Sequence, residues 1–356
     1  MTTKQRPHVT LEHPGELLAS VPHLLGFHPS DSLVVLGLRG TTTASVGVVL
    51  RADLPPPDEI RALAEYLLLP LTQHNAESVV LVVVGGRAPV DDLPDRELLA
   101  RCESVLVDAG FTVAHQLWTP DTTAGRRWRC YDDFKCIGVL PDPGGTDLAK
   151  AAKDTGLVTY ASRDEIVATL APEPDDVLAR RSAAFDRRTD ATEPDHGTGP
   201  PKPDRDQIRA WLDAVRRAIE SAVATPPTLT DDDVVQLIGA LSEHRVRDVN
   251  LDFDRLPDVA AAERLWTALA RATPAPERAE PACLLAFSAY ARGDGVLAGI
   301  ALANAEAADP GHRLTNLLRS ALTLGLEPGK IRVAGIRAAT FARQSLNEDL
   351  AQPEES

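Results

Sequence analysis

The chain has 356 residues, a net charge of −15 at pH 7, 44% hydrophobic side chains and only 4% aromatic ones. This length is sufficient for two globular domains, whose cores must then be filled by aliphatic residues. The negative charge is spread along the whole chain, which disfavours binding to a nucleic-acid backbone. No run approaches the ~18 apolar residues that span a membrane, so we expect no membrane contact.

The first half of the chain alternates helical periodicity with short apolar runs. A helix is predicted over Pro14–Leu25, and a hairpin of two strands over Ser32–Leu38 and Ala44–Leu50. The remaining predicted elements are a helix over Asp58–Leu69, a strand over Ser78–Val84, a helix over Pro94–Ala109, strands over Phe111–Trp118 and Arg126–Tyr131, and helices over Asp147–Lys153 and Asp164–Leu170. This order predicts an α/β fold with a mixed sheet flanked by helices, in which helices connect parallel strands.

A break in composition follows. Residues 186–205, DRRTDATEPDHGTGPPKPDR, contain no aliphatic side chain larger than Ala and have little apolar surface to bury. We therefore predict an α/β domain over residues 1–185, a linker over 186–205, an all-helical domain over 206–345 and a disordered tail over 346–356. In the helical part, Thr230 before three aspartates indicates a helix N-cap.

The opening segment carries a recognisable pattern. It reads His13-Pro14-Gly15-Glu16-Leu17-Leu18, then VPHLLGFHP over residues 21–29, then DSLVVLGL over residues 31–38. This pattern resembles the opening signature of a domain-of-unknown-function family found mainly in actinobacteria. The family has no assigned activity, ligand or partner, so the resemblance implies no particular chemistry.

The same family typically has an Arg-Trp-rich strand followed by a Cys-rich, Gly-containing turn. This chain has Arg127-Trp128 and Tyr131, with PGGT over residues 143–146 downstream. It has only Cys136 where the family often has adjacent cysteines, and this departure argues against a thiol-based site.

A second resemblance lies near the C-terminus. The spacing of small and apolar residues there is similar to one tetratricopeptide repeat, with Gly293 at the turn between two helices. The residues that carry it are Ala282, Leu285, Ala286, Ala289, Gly293, Ala298, Leu302, Ala305 and Pro310. One such unit cannot bury its face alone, so neighbouring helices must cover it. The alternatives are a peptide-binding groove and a hairpin that serves packing only.

The sequence contains no Walker loop and no G-x-G-x-x-G, G-x-S-x-G or H-E-x-x-H motif, so it leaves any cofactor unknown. His13, His23 and His28 could form a metal cluster with Glu12 and Asp31. However, His13 and His28 each precede proline, which leaves their side chains without a fixed mutual orientation. Capping or hydrogen-bonded buried histidines are the alternative that we favour.

The polar N-terminus shows no signal peptide, so we expect a cytoplasmic location. The four cysteines, Cys102, Cys130, Cys136 and Cys283, are then expected to be free thiols, and no pair has the spacing of a zinc site.

Topology suggests one ligand site. Ligands of open α/β sheets bind beyond the carboxyl ends of parallel strands. Here those ends should bring together the candidate ligand-binding residues Arg51, Asp53, Gly85, Gly86, Arg87, Arg127 and Trp128. Several guanidinium groups at one edge would form a pocket for phosphate or carboxylate. The alternative is that these arginines make surface ion pairs with Asp53, Asp91, Asp132 or Asp133.

Two hypotheses follow. The first is a non-enzymatic interaction or regulatory protein that binds a protein partner through its helical region. The second is a small-molecule-binding or enzymatic α/β domain with an anion pocket at the Arg51–Arg87–Arg127 edge. A deep pocket at that edge would favour the second hypothesis, whereas a shallow surface would favour the first.

Overall fold

The computed structural model describes residues 8–9, 13–40, 44–86, 92–154, 158–190 and 203–349. The chain forms two compact units, Met1–Glu165 with Leu324–Leu326, and Ile166–Thr323 with Glu327–Ser356. The first unit contains a mixed sheet with flanking helices, and every regular element described in the second unit is a helix. The predicted fold class is therefore confirmed.

The sheet of the first unit has seven strands. They are β1 (His8–Val9), β2 (Ser32–Arg39), β3 (Ala44–Asp53), β4 (Ser78–Val84), β5 (Thr112–Thr119), β6 (Arg127–Cys130) and β7 (Ile137–Val139). Their spatial order is β1-β3-β2-β4-β5-β6-β7, and only β4 and β5 are parallel neighbours. Because β3 and β4 are both antiparallel to β2, the strands β3, β4 and β5 all run in one direction. The prediction that helices connect strands of the same direction is confirmed.

Helices cover the sheet of this unit. They are α1 (Pro14–Leu25), α2 (Ile60–Tyr66), α3 (Leu68–Gln73), α4 (Arg96–Asp108) and α5 (Asp147–Asp154), and α6 (Arg163–Thr169) follows at the boundary of the unit. A core of buried aliphatic residues forms between β2, β4 and the helices α2, α3 and α4. The helix predicted over Asp58–Leu69 is split into α2 and α3. It continues to Gln73 because Pro70 lies in the first turn of α3, where a missing N–H costs little.

The second unit contains nine described helices. They are α7 (Asp175–Asp190), α8 (Arg205–Ser221), α9 (Asp231–Leu241), α10 (His244–Val249), α11 (Val259–Ala272), α12 (Ala279–Arg292), α13 (Gly295–Ala308), α14 (Arg313–Thr323) and α15 (Pro328–Asp349). The predicted cap at Thr230 is present: its hydroxyl accepts from the N–H of Asp233, and the Asp233 carboxylate accepts from the N–H of Thr230. No described helix is long and apolar enough to cross a membrane.

Helix α12 is the centre of the second unit. Every residue from Pro281 to Ala291 is buried, and α9, α11, α13, α14 and α15 all pack against it. Gly293 ends the helix with a φ of 94°, and the Asp294 side chain caps α13. Ala286 and Ala298 are both buried, as expected for a close helical hairpin. Its similarity to a tetratricopeptide repeat stays a prediction.

The boundary between the units differs from the one predicted. The units divide after Glu165, and α7 extends to Asp190, into the segment predicted as a linker. Helix α7 belongs to the second unit because its Arg181 donates to Asp231 and its Arg188 donates to the carbonyl of Val235. These contacts hold a helix whose last turn has almost no aliphatic residues.

The predicted ends of the two disordered segments also change. Helix α15 runs to Asp349, so residues 346–349 are helical and not part of a disordered tail. Residues 191–202 and 350–356, which complete the predicted linker and tail, lie outside the described residues.

Candidate functional site

The carboxyl ends of β3, β4 and β5 lie side by side, together with the amino end of β2. Ser32 at the start of β2 pairs with Asp53 on one side and with Val84 on the other, and Val84 pairs with Thr119 of β5. Arg51, Asp53, Gly85 and Gly86 therefore lie at one edge of the sheet, where strand direction places them. We call this the strand-end edge.

Arg51 is neutralised within the protein. Its Nη2 lies 2.5 Å from Oδ1 of Asp53, and its Nε donates to Oγ of Ser32 at 2.9 Å. The guanidinium also lies 6.0 Å from the centre of the Phe27 ring. A surface ion pair with Asp53, the alternative raised from the sequence, therefore accounts for Arg51 without a ligand.

Gly85 and Gly86 form a tight turn after β4. Their φ angles are 81° and 82°, in the left-handed region that favours glycine. The N–H of Gly85 donates to the carbonyl of Thr119 at 2.9 Å, and its own carbonyl accepts from Nε1 of Trp118 at 2.8 Å. The N–H of Gly86 donates to the Asp31 carboxylate at 3.0 Å. These backbone groups are therefore committed to the turn itself and not directed at a phosphate.

Two aspartates give the strand-end edge an acidic centre. Asp31 and Asp95 both have left-handed backbones, with φ of 41° and 55°. Burial raises the pKa of the Asp95 carboxyl, and the nearby charge of Asp31 raises it further. Oδ2 of Asp95 is buried and has no hydrogen-bond partner in the described part of the chain. Residues held in such strained conformations concentrate at functional sites.

The predicted anion pocket would have to collect Arg51, Arg87 and Arg127. Arg51 is on β3 and Arg127 is on β6, so the strand order separates them by four strand spacings, about 19 Å. With Arg51 also held by Asp53, these two guanidinium groups do not share one small anion. Arg87 lies outside the described residues. A ligand-binding role for Arg127 stays a prediction.

Strands β6 and β7 form a hairpin at the other border of the sheet. Arg127 pairs with Val139 and Arg129 pairs with Ile137, so these four side chains share one face. Ile137 and Val139 are each 59% exposed, and Phe134 in the turn is 79% exposed. Among the described residues, neither arginine makes an ion pair. We call Arg127, Arg129, Phe134, Ile137 and Val139 the hairpin patch.

Trp128 lies on the opposite face of the same hairpin. Strand alternation separates it from Arg127, although the sequence analysis grouped the two residues. The indole is buried against Gly15 and Gly138, where an added Cβ would lie 3.0 and 2.7 Å from it. It borders an open depression of about 460 Å³ that Cys136 and residues of α1 and β7 also line.

The histidines near the N-terminus are engaged in hydrogen bonds. His23 contacts Oγ1 of Thr159 at 2.8 Å and the carbonyl of Pro143 at 3.0 Å, and His28 contacts Oγ1 of Thr122 at 2.8 Å. Burial lowers the pKa of His28, as does the nearby His23. Hydrogen bonding is therefore shown for His23 and His28, whereas His13 is exposed and makes no side-chain cap hydrogen bond at the start of α1. Glu12 lies outside the described residues. The described residues contain no group of three or more side chains arranged to hold a metal ion.

One arrangement in the helical unit resembles a catalytic triad in its contacts. Glu280 Oε2 lies 3.0 Å from Nε2 of His312, whose Nδ1 lies 2.7 Å from Oγ1 of Thr315. Thr315 is fully buried, so no substrate reaches its hydroxyl. Its backbone N–H also lies 3.3 Å from Nδ1 of His312, next to the first turn of α14. This arrangement stabilises the start of a helix.

These features define a two-unit protein that combines a mixed α/β sheet with a helical unit and exposes an arginine-rich hairpin. The chain belongs to the DUF4192 family, a domain of unknown function, whose family profile matches residues 14–329. The resemblance to a domain-of-unknown-function family is thereby confirmed. No curated protein and no solved structure matches the chain.

Proposed function

We propose that this is a cytoplasmic, non-enzymatic interaction protein, and that its docking surface is the hairpin patch with the free edge of β7. The supporting observation is the face on which Arg127 and Arg129 alternate with the exposed side chains of Val139 and Ile137. Aromatic, aliphatic and arginine side chains together are the composition of protein interfaces.

The local charge of the hairpin patch supports an acidic partner. The protein carries a net charge of −15. In the described part of the chain neither Arg127 nor Arg129 forms an ion pair, although the Arg129 charge contributes to lowering the pKa of Asp92. Guanidinium groups that remain exposed in this way attract carboxylates, which they can bind through two parallel hydrogen bonds. Lys135 adds a third cation, 5.9 Å from the ring centre of Phe134. The negative field of the remaining protein disfavours a nucleic acid as the partner.

The backbone of β7 favours an extended partner. The N–H of Cys130 donates to the carbonyl of Cys136, and the N–H of Leu140 donates to the carbonyl of Arg126. These two bonds determine which backbone groups of β7 face β6. The N–H of Val139 and the carbonyls of Ile137 and Val139 therefore point away from β6. A partner segment can add to this edge as a further strand, while its acidic side chains meet the arginines.

The sequence pattern favoured the helical region as the interaction platform. Helix α12, which would line the groove of a tetratricopeptide array, is covered on all sides by neighbouring helices. Exposed apolar side chains of the helical unit include Leu317, Val333 and Phe341. Arg337 is exposed on the same helix as Val333 and Phe341, so this unit is a second candidate surface. The hairpin patch is preferred because it adjoins the free edge of β7.

The alternative function is binding of a small anionic ligand or catalysis on one. Two cavities, of about 480 and 460 Å³, are lined by residues around Thr72 and Phe111 and by residues beside Trp128. Arg51, Gly85 and Gly86 line neither of these two cavities. A phosphate or carboxylate metabolite bound by Arg127 and Arg129 alone remains an outcome of the test.

Fluorescence polarisation with short labelled peptides tests the proposal. A peptide of alternating Glu and Val should bind, and the matching Lys–Val peptide should not. Arg127→Ala combined with Arg129→Ala should weaken binding roughly tenfold, about 1.4 kcal/mol. Arg61→Ala is the control, since this exposed arginine lies on α2. Val139→Pro should also weaken binding, because it removes the outward N–H and leaves the β6 side of the strand intact.

Three outcomes would contradict the proposal. The first is a Glu–Val peptide that binds no better than the Lys–Val peptide, and the second is equal binding of the Glu–Val peptide to the parent chain and the double variant. Competition by free phosphate or citrate at millimolar concentration, without strand-like peptide binding, would assign the arginines to a small anion instead.

A further inference from the structure

The β6–β7 hairpin also brings two cysteines together. Arg129 pairs with Ile137, so the next residues along the ladder, Cys130 and Cys136, are directly opposite each other. The N–H of Cys130 donates to the carbonyl of Cys136 at 2.9 Å. Residues opposite each other at such a hydrogen-bonded position have Cα atoms about 5.5 Å apart. A disulfide requires a Cα separation of about 4.4–6.8 Å, so the backbone is already within range.

The side chains are close as well. The Cys130 side chain interacts with the Cys136 thiol and contributes to raising its pKa. Cys130 is buried, with 7% of its surface exposed, whereas Cys136 is half-buried and lines the open depression beside Trp128. One thiol is therefore accessible to a small reagent from solvent, and the second is positioned behind it.

We propose that Cys130 and Cys136 are a reversible dithiol–disulfide modification site whose oxidant is a small peroxide. The Cys136 thiolate attacks one peroxide oxygen, the O–O bond breaks, and water leaves after protonation, which gives a sulfenic acid on Cys136. The Cys130 thiol then attacks that sulfur, the S–O bond breaks, and a second water leaves. In total, two thiols and one hydrogen peroxide give one disulfide and two waters. A dithiol reductant reverses the reaction by thiol–disulfide exchange.

This inference is independent of the docking proposal, because it concerns the thiols and not the arginines. It also reverses the expectation from the sequence, where the lack of adjacent cysteines argued against a thiol-based site. The four thiols are free in the structure, which corresponds to the reduced state.

The rate should depend strongly on pH. Burial raises the pKa of the Cys136 thiol, and Cys130 and Asp133 raise it further. Only the thiolate is nucleophilic, so oxidation by peroxide should accelerate as pH rises from 7 to 9. The site is therefore slow to oxidise at neutral pH, and its disulfide is favoured by proximity and not by an activated thiol.

The chain supplies its own control cysteines. Cys102 and Cys283 are fully buried, and burial raises the pKa of each thiol to about 12. Neither should react with peroxide in the folded protein.

To test this, the reduced chain is treated with equimolar hydrogen peroxide, and the remaining thiols are blocked with an alkylating reagent. The protein is then unfolded and digested with trypsin. Trypsin cleaves after Arg129, Lys135 and Lys150, which places the two cysteines in different peptides. The expected product is the peptide of residues 130–135 joined to that of residues 136–150, with Cys102 and Cys283 alkylated. Dithiothreitol should release the two peptides.

Variants separate the steps. Cys130→Ser should stop at the sulfenic acid of Cys136, which a cyclic 1,3-dione traps, and Cys102→Ser should behave as the parent chain. Joined peptides from any other pair would overturn the proposal. So would oxidation of Cys136 to sulfinic acid without loss of the Cys130 thiol.

Discussion

Asp31 and Gly86 are hydrogen-bonded across the strand-end edge, with the Gly86 N–H donating to the Asp31 carboxylate at 3.0 Å. Both residues have left-handed backbones, and Gly86 also approaches the Asp95 side chain. Three loops are thus fixed to one another by a contact that depends on the absence of a side chain at Gly86.

Gly86→Ala should therefore destabilise the first unit more than an ordinary loop substitution does. A Cβ at Gly86 would lie 2.5 Å from Oδ2 of Asp95 and 3.1 Å from Cβ of Pro94. Gly125→Ala is the matched control, because Gly125 has the same φ of 82° and nothing within 4 Å. We expect a loss of about 1 kcal/mol for Gly125→Ala and roughly 1–3 kcal/mol more for Gly86→Ala, measured by urea unfolding. Equal losses would show that the Asp95 side chain moves aside freely.

Asp95→Asn should stabilise the protein at neutral pH. Burial and the Asp31 charge raise the pKa of Asp95, so its ionised form is unfavourable in the fold. The penalty is present above the folded pKa and disappears as the pH falls through that pKa towards 3.8. The gain in the free energy of unfolding should thus be largest near pH 7 and shrink on acidification.

Asp121→Asn should have the opposite effect on the free energy of unfolding. Burial alone would raise the pKa of Asp121, but hydrogen bonds from Thr123 and the charge of Arg126 outweigh it and lower the pKa. This carboxylate stabilises the fold above the unfolded pKa, and that contribution is lost as the pH falls. Asp121→Asn should lower stability at pH 7. If both variants shift stability in the same direction, the electrostatic account of this edge is wrong.

Strand direction was predictable from the sequence, whereas strand order was not. Apolar runs such as Ser78–Val84 identify buried strands, and intervening helices imply that β3, β4 and β5 run in the same direction. Periodicity contains no information on which strand lies between two others. Here β2 separates β3 from β4, and this order places Arg51 far from Arg127.

The Cys130–Cys136 pair was missed because β7 was not predicted. This strand has three residues, and its glycine and exposed apolar side chains give no clear alternation. That the two cysteines lie opposite each other can be inferred only when the hairpin register is known. Asp95 was missed for a similar reason, since its burial and left-handed backbone arise from packing on Gly86.

Ala298→Leu should destabilise the helical unit. Ala298 is fully buried on α13, whose main neighbour is α12. The three additional carbon atoms of leucine therefore have no space there. We expect a cost of roughly 1–3 kcal/mol from overpacking. Ala303 on the same helix is exposed, so Ala303→Leu should change stability by no more than about 0.5 kcal/mol. Thermal unfolding of both variants decides, and equal melting temperatures would mean that the hairpin tolerates a larger side chain.

His28 should make the stability of the first unit depend on pH. Burial lowers its pKa, the charge of His23 lowers it further, and the opposing effect of Asp121 is smaller. The unfolded chain binds a proton at this residue below about pH 6.5, while the folded protein resists protonation until a lower pH. The unfolded state therefore binds more protons in this window, so the free energy of unfolding must fall as the pH decreases below 6.5. Above that pH the contribution is constant.

His28→Gln should flatten this part of the profile, because the amide does not titrate yet can still bond to the Thr122 hydroxyl. Urea unfolding between pH 5 and pH 8 measures both slopes, and a variant with the parent's slope would assign the pH dependence to another group.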